Sequence, residues 1–232
     1  MRTILRFIYI VDDDRISRNV THVMVTRGSN TMVQTFESGS AFLSEVDELD
    51  SGVVLLDLNM PDMDGNAVLE TLNRRDDRKF VTILVTASAS VKLTTQAMKN
   101  GALDVVEKPF QPHVIEGVLA AAFTQLDENN AVDASRQAAL QKIAGLSPRE
   151  RAVFGMLFDG GQNKVIAQAL GISPRTVEIY RASLMRKLGV NDLAHAVRLV
   201  IASGWVPTQS DAAPEATMRP SSQPRLARRA SA

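Results

Sequence analysis

The chain has no cysteine, which excludes a disulfide framework and a thiolate metal site and agrees with a reducing compartment. It also has no apolar run approaching the ~20 residues that a membrane-spanning helix needs. The apolar start MRTILRFIYIVDDD ends in three acids and lacks a small-residue cleavage site, so it reads as a strand and not as a signal peptide. The expected location is the cytoplasm, with no membrane partner. Net charge is absent too: 26 Lys+Arg balance 26 Asp+Glu. That zero hides a split. Residues 1–124 hold 12 basic against 17 acidic residues, a net of −5, whereas residues 146–204 hold 8 against 4, a net of +4. Two domains with different partners follow, the second suited to nucleic acid.

What is present centres on Val53 to Gly65, VVLLDLNMPDMDG. An apolar run leads into Asp57 and stops. Met60-Pro61 then forces a non-helical path, because Pro fixes φ and restricts its predecessor. The pattern predicts a buried parallel strand that delivers one carboxylate to its C-terminal end, where open α/β sheets bind ligands.

The flanking sequence repeats this plan. Strands are predicted at Ile4–Val11, Met32–Phe36, Val53–Asp57, Phe80–Val85 and Leu103–Val106. Helical spacing follows each: Ile16 to Met24 with a stop at Arg27-Gly28, Ser38 to Val46, Asn66 to Arg75, Val91 to Asn100, and about Gln111 to Leu126. Five alternations predict a doubly wound five-stranded parallel sheet over residues 1–125, the flavodoxin-like α/β class. Asp12 and Asp13, Asp57, Thr86 and Lys108 each follow a different strand, so three carboxylates, a hydroxyl and an ammonium converge on one sheet edge. Clustered carboxylates repel one another, and a hard cation such as Mg²⁺ relieves the repulsion. A carboxylate beside such a cation can attack a phosphoryl group and become an aspartyl-phosphate. Lys108 and Thr86 would hold the transferring oxygens.

Alone, an acid pair after a strand is usually a solvated turn. The ordered set carries the weight. VDDD, LLDLNMPDMDG, LVTAS and EKPF resemble the receiver domain of two-component response regulators, over residues 4 to about 125. That resemblance implies that Asp57 is the phosphoacceptor and Asp12 and Asp13 the acid pair. Asp13 and Asp57 would ligate Mg²⁺, with the Asn59 carbonyl contributing. Thr86 would be the switch hydroxyl and Lys108 the phosphoryl partner, and the donor a phosphohistidine on a sensor histidine kinase. The chain departs from the family at Val105, where Tyr or Phe is common. This points the signal through backbone and helix shifts around residues 86–107. A rival resemblance, to haloacid-dehalogenase phosphohydrolases, would make Asp12 the nucleophile and Asp14 the acid, but leaves Asp57 unexplained.

Residues 126–143 are polar and read as a linker, either a prolonged helix or a flexible segment. Beyond it, Ser147-Pro148-Arg149-Glu150 has the spacing of a capping box with Pro at the first helical position. Ala167, Gly171 and Val177 then have the spacing of a helix-turn-helix. On the second helix Val177, Tyr180, Leu184 and Leu188 share a face expected to be buried. The opposite face carries Arg175, Ile179, Ala182 and Arg186, flanked by Thr176, Glu178 and Ser183, and is expected to enter the major groove. Lys164, Arg181 and Lys187 are placed for phosphates.

LSPRE and NKVIAQALGISPRTVEIYRASLMRKLGV resemble the LuxR-type DNA-binding domain, over residues 144–206. With the receiver in front, the whole resembles the NarL/FixJ group of transcriptional regulators. The resemblance implies a regulator that is not an enzyme beyond self-phosphoryl transfer and autodephosphorylation. It would bind promoter DNA as a homodimer once phosphorylated. A phosphate sink or docking module whose second domain binds protein is the other alternative. Residues 207–232 have the composition of a disordered tail.

Overall fold

A computed structural model describes residues 5–26, 30–75 and 77–205. These residues form two compact units that meet between Ala134 and Ser135. The predicted stop at Arg27-Gly28 and the predicted tail lie outside the described residues.

The first unit alternates β1 (Arg6–Val11), α1 (Arg15–Val25), β2 (Thr31–Phe36), α2 (Gly39–Glu45), β3 (Gly52–Asp57), α3 (Gly65–Asn73), β4 (Phe80–Thr86), α4 (Val91–Lys99) and β5 (Asp104–Glu107), then enters α5 (Pro112–Ala144). All strand pairs are parallel, in the order β2-β1-β3-β4-β5. Strand side chains alternate between faces. Tyr9, Val11, Val54, Leu56 and Leu84 pack with Phe42, Val68, Leu69 and Ala97 of α2, α3 and α4. Ile8, Ile10, Val53, Leu55, Ile83 and Val85 pack with Val25, Ile115, Leu119 and Phe123 of α1 and α5. All six residues of β3 are buried, as a central parallel strand covered on both faces requires. Helix starts are set locally: Asp14, Ser38, Asp64 and Ser90 each accept a backbone N–H of the first turn.

Residues 126–143, for which sequence left two conformations open, are part of the single 33-residue helix α5. No Gly or Pro interrupts residues 118–144, and Ala is frequent there, so nothing local ends the helix. The fifth strand lies one residue later than predicted, at Asp104–Glu107. Among the described residues no helix is long and apolar enough to cross a membrane.

The second unit contains α6 (Pro148–Phe158), α7 (Asn163–Leu170), α8 (Pro174–Leu188) and α9 (Leu193–Ser203). Its core joins Ile143 and Leu146 to Val153, Phe154, Ile166, Val177, Leu184, Leu188 and Val200. The capping box at Ser147 and Glu150 is formed. Gly171 closes α7 at φ 64°, ψ 35°, a left-handed conformation that favours glycine.

Candidate functional site

Parallel pairing fixes where the polar residues meet. Asp57 lies opposite Val85, and Thr86 opposite Glu107, so the ends of β3, β4 and β5 share one edge. Gly65 lets the β3–α3 loop close beneath Asp57. A Cβ there would stand 2.4 Å from the Asp57 carbonyl oxygen, so any side chain would displace the strand end.

At this edge Lys108 Nζ donates to Asp57 Oδ2 at 2.7 Å and to Asp12 Oδ2 at 2.8 Å. Asp57 Oδ1 accepts the Asn59 N–H at 3.2 Å. Asp12 is buried, and its two oxygens also accept the Ser17 hydroxyl at 2.7 Å and the Asp14 N–H at 2.9 Å. Asp13 is exposed, and one oxygen from each of Asp12, Asp13 and Asp57 lies within 4.8 Å of the others. Burial works against the charge on Lys108, but its hydrogen bonds to the Asp12 and Asp57 carboxylates outweigh this and hold its pKa above the usual lysine value. The ammonium therefore stays charged between two carboxylates. An oxygen-only set of three acids fits a hard cation and not a soft one. Of the three, Asp13 and Asp57 have fewer donors already on their oxygens than Asp12.

Thr86 is fully buried at this edge. Its hydroxyl pairs with both the N–H and the carbonyl of Ser88, each at 3.3 Å. The next amide, Ala89 N–H, donates to Glu107 Oε1 at 3.2 Å. These contacts tie the β4–α4 loop to the end of β5. Ser17, Ser88 and Glu107 escaped the sequence reading, because each acts through a loop closure that spacing alone does not reveal. Val105 packs against the core beside Leu84 and carries no ring. Replacing Glu107 with Ala is expected to speed hydrogen exchange of the Ala89 amide by about three- to ten-fold. Unchanged exchange would mean that the loop is held elsewhere.

In the second unit the small Ala167 and the core residue Val177 are buried on either side of the Gly171 turn. Arg175, Glu178, Ile179, Ala182 and Arg186 are all exposed, on the face of α8 opposite Val177 and Leu184. Tyr180, expected on the buried face, is partly buried. Ser173 caps α8: its hydroxyl oxygen accepts the Thr176 N–H at 3.1 Å, and the two hydroxyls pair at 2.8 Å. Two of the cations expected at phosphates have partners within the unit. Arg181 Nη1 donates to Asn163 Oδ1 at 2.8 Å, and Lys187 Nζ to Glu150 Oε2 at 2.6 Å. Lys164 is exposed. Buried Glu150 also accepts the Ser147 N–H at 2.7 Å and the Ser183 hydroxyl at 2.7 Å. Burial raises its pKa, but the Lys187, Ser147 and Ser183 hydrogen bonds outweigh that and hold it at about 2.

Comparison with known proteins agrees with both halves. Residues 8–120 match the response regulator receiver domain, and residues 144–200 match the bacterial regulatory proteins of the luxR family. The chain is 35% identical to the transcriptional regulatory protein FixJ of Bradyrhizobium diazoefficiens, over 86% of this chain and 96% of that protein. It is 37% identical to FixJ of Rhizobium meliloti, over 87% and 98%. It is 33% identical to the C4-dicarboxylate transport transcriptional regulatory protein DctR of Rhodobacter capsulatus, over 83% and 98%. Among solved structures it resembles the response regulator StyR, with a TM-score of 0.69 and 30% identity over 85% of this chain and 99% of that one. Full-length FixJ from B. japonicum gives 0.51 and 34% identity over 86% and 97%. A receiver fold followed by a luxR-family helical unit, with FixJ relatives spanning nearly their whole length, places this chain among the FixJ-type two-component response regulators, which regulate transcription in response to phosphorylation.

Proposed function

We propose that Asp57 accepts a phosphoryl group from a phosphohistidine of a sensor kinase, and that the modified chain dimerises and binds promoter DNA through α8. The observation that carries this reading is the Lys108 ammonium bridging Asp57 and Asp12, with Asp13 beside them. An Asp57 carboxylate oxygen bonds to phosphorus while the phosphorus–nitrogen bond breaks, and the imidazole leaves with the electron pair. Lys108 has charge to offer the new phosphoryl oxygens. Thr86 can donate its one hydroxyl proton to them only by releasing the Ser88 carbonyl. The β4–α4 loop must therefore change when Asp57 is modified, and Val105 leaves no ring to carry that change.

Asp12, Asp13, Asp57 and the Asn59 carbonyl would hold Mg²⁺. The cation would neutralise charge developing on the transferred group. No activity beyond phosphoryl transfer to and from Asp57 is proposed, and the working compartment is the cytoplasm, where kinase and promoter are both reachable. A hydrolase using Asp12 and Asp14 is not favoured. Asp12 already accepts three hydrogen bonds, and Asp14 Oδ1 caps α1 by accepting the Ile16 N–H at 2.9 Å.

Arg175→Ala and Arg186→Ala test the DNA half. Each is expected to lower promoter affinity by about ten-fold or more, with unfolding unchanged because both residues are exposed. Binding should also weaken steeply with salt. Unchanged affinity in both variants would reject this face of α8 as the DNA surface.

A further inference from the structure

We propose that Ile179 reads the methyl group of a thymine, so that each half-site of the bound DNA carries T at one fixed position. The inference rests on the DNA-binding reading above and names what one residue of that surface recognises. Ile179 is 62% exposed and belongs to no core cluster. The other large apolar residues of α8, namely Val177, Tyr180, Leu184, Met185 and Leu188, are buried or packed on the core. A β-branched side chain exposed in mid-helix gains nothing for the fold: it lowers helix propensity and keeps apolar surface in water.

Its neighbours narrow the role. Ile179 lies one turn after Arg175 and one turn before Ala182, on the same exposed face of the helix. Ala182 adds little bulk, so it lets this part of α8 come close to what it faces. Glu178, beside Ile179, is an exposed carboxylate that phosphates repel. This stretch of α8 therefore suits base edges and not the sugar-phosphate backbone. Phosphate contacts need hydrogen-bond donors, which an isoleucine side chain lacks. Among the base edges in the major groove, only thymine presents a methyl group. An isoleucine there separates T from C, and equally from uracil.

The test uses the full chain with Mg²⁺ and beryllofluoride, first on a random-sequence duplex library. The selected site is then synthesised with thymine or with deoxyuridine at each T. Wild type should select a fixed T in each half-site, and changing that T to deoxyuridine should lower its affinity by about three- to ten-fold, as the loss of one or two buried methyl contacts implies. Ile179→Ala should select no base at that position and bind the two duplexes equally, with its unfolding midpoint unchanged. Ile179→Gln, which can pair with adenine N6 and N7, should shift selection towards A. If wild type binds DNA but selects no such T, or if Ile179→Ala keeps the thymine–uracil difference, the inference is overturned while the DNA-binding reading stands. If no duplex is enriched, both fall together.

Discussion

Asp57→Asn is expected to abolish phosphorylation of the intact chain: with Mg²⁺ and a small phosphodonor the variant gains no phosphoryl mass, where wild type gains one. The amide is isosteric and keeps one acceptor oxygen, for either Lys108 or the Asn59 N–H, while Lys108 still donates to Asp12, so the fold should survive. What disappears is the proposed nucleophile. Asp12 cannot replace it, because it is buried with Lys108, Ser17 and Asp14 already donating to it. Phospho-dependent dimerisation should be lost in the same variant, measured by light scattering. A variant that still takes up label, or still dimerises on phosphodonor treatment, would move the phosphoacceptor away from β3.

The second large effect concerns stability. Glu150→Ala removes the buried carboxylate that joins the start of α6 to Ser183 and Lys187 of α8. The loss combines a helix cap with charge-assisted hydrogen bonds, and is expected to destabilise the second unit by about 2–3 kcal/mol. Trp205, the chain's one tryptophan, stacks on Phe154 in this unit with ring centroids 5.8 Å apart. Its fluorescence in urea therefore reports the second unit alone.

A pH dependence follows from the same carboxylate. Its folded pKa is about 2 against an ordinary 4.5. A depressed carboxyl stabilises above its unfolded pKa, and that stability is lost as pH falls from about 4.5 towards 2. The gap between wild type and variant should therefore be widest near neutral pH and shrink through that acid window. An equal gap at both ends would remove Glu150's charge from the explanation.

The sheet edge was legible because each strand ends where an apolar run meets a polar residue. Asp12, Asp57, Thr86 and Lys108 stand at such junctions, and parallel topology brings the junctions together whatever the loops do. The exposed face of α8 was legible for the same kind of reason: a period of 3.6 separates buried Val177 and Leu184 from exposed Arg175 and Ile179. Tertiary partners were not legible. Nothing local tells that Lys187 turns to Glu150, 37 residues earlier in the chain, and not to solvent. Nor does spacing show that Ser17 donates to Asp12 or that Ala89 donates to Glu107. Residues 126–143 escaped for a different reason. Their Ala, Gln and Asn suit a helix end, a linker or a helix about equally, and the uninterrupted run from α5 into the core residues Ile143 and Leu146 decides among them.

The most direct measurement follows label and affinity in one sample. Full-length protein is titrated onto its selected duplex in Mg²⁺, with and without phosphodonor, while intact mass gives the fraction modified at Asp57. Affinity should rise with that fraction in wild type and stay flat in Asp57→Asn. Equal affinity at zero and full modification would contradict a switch driven from the β3 carboxylate.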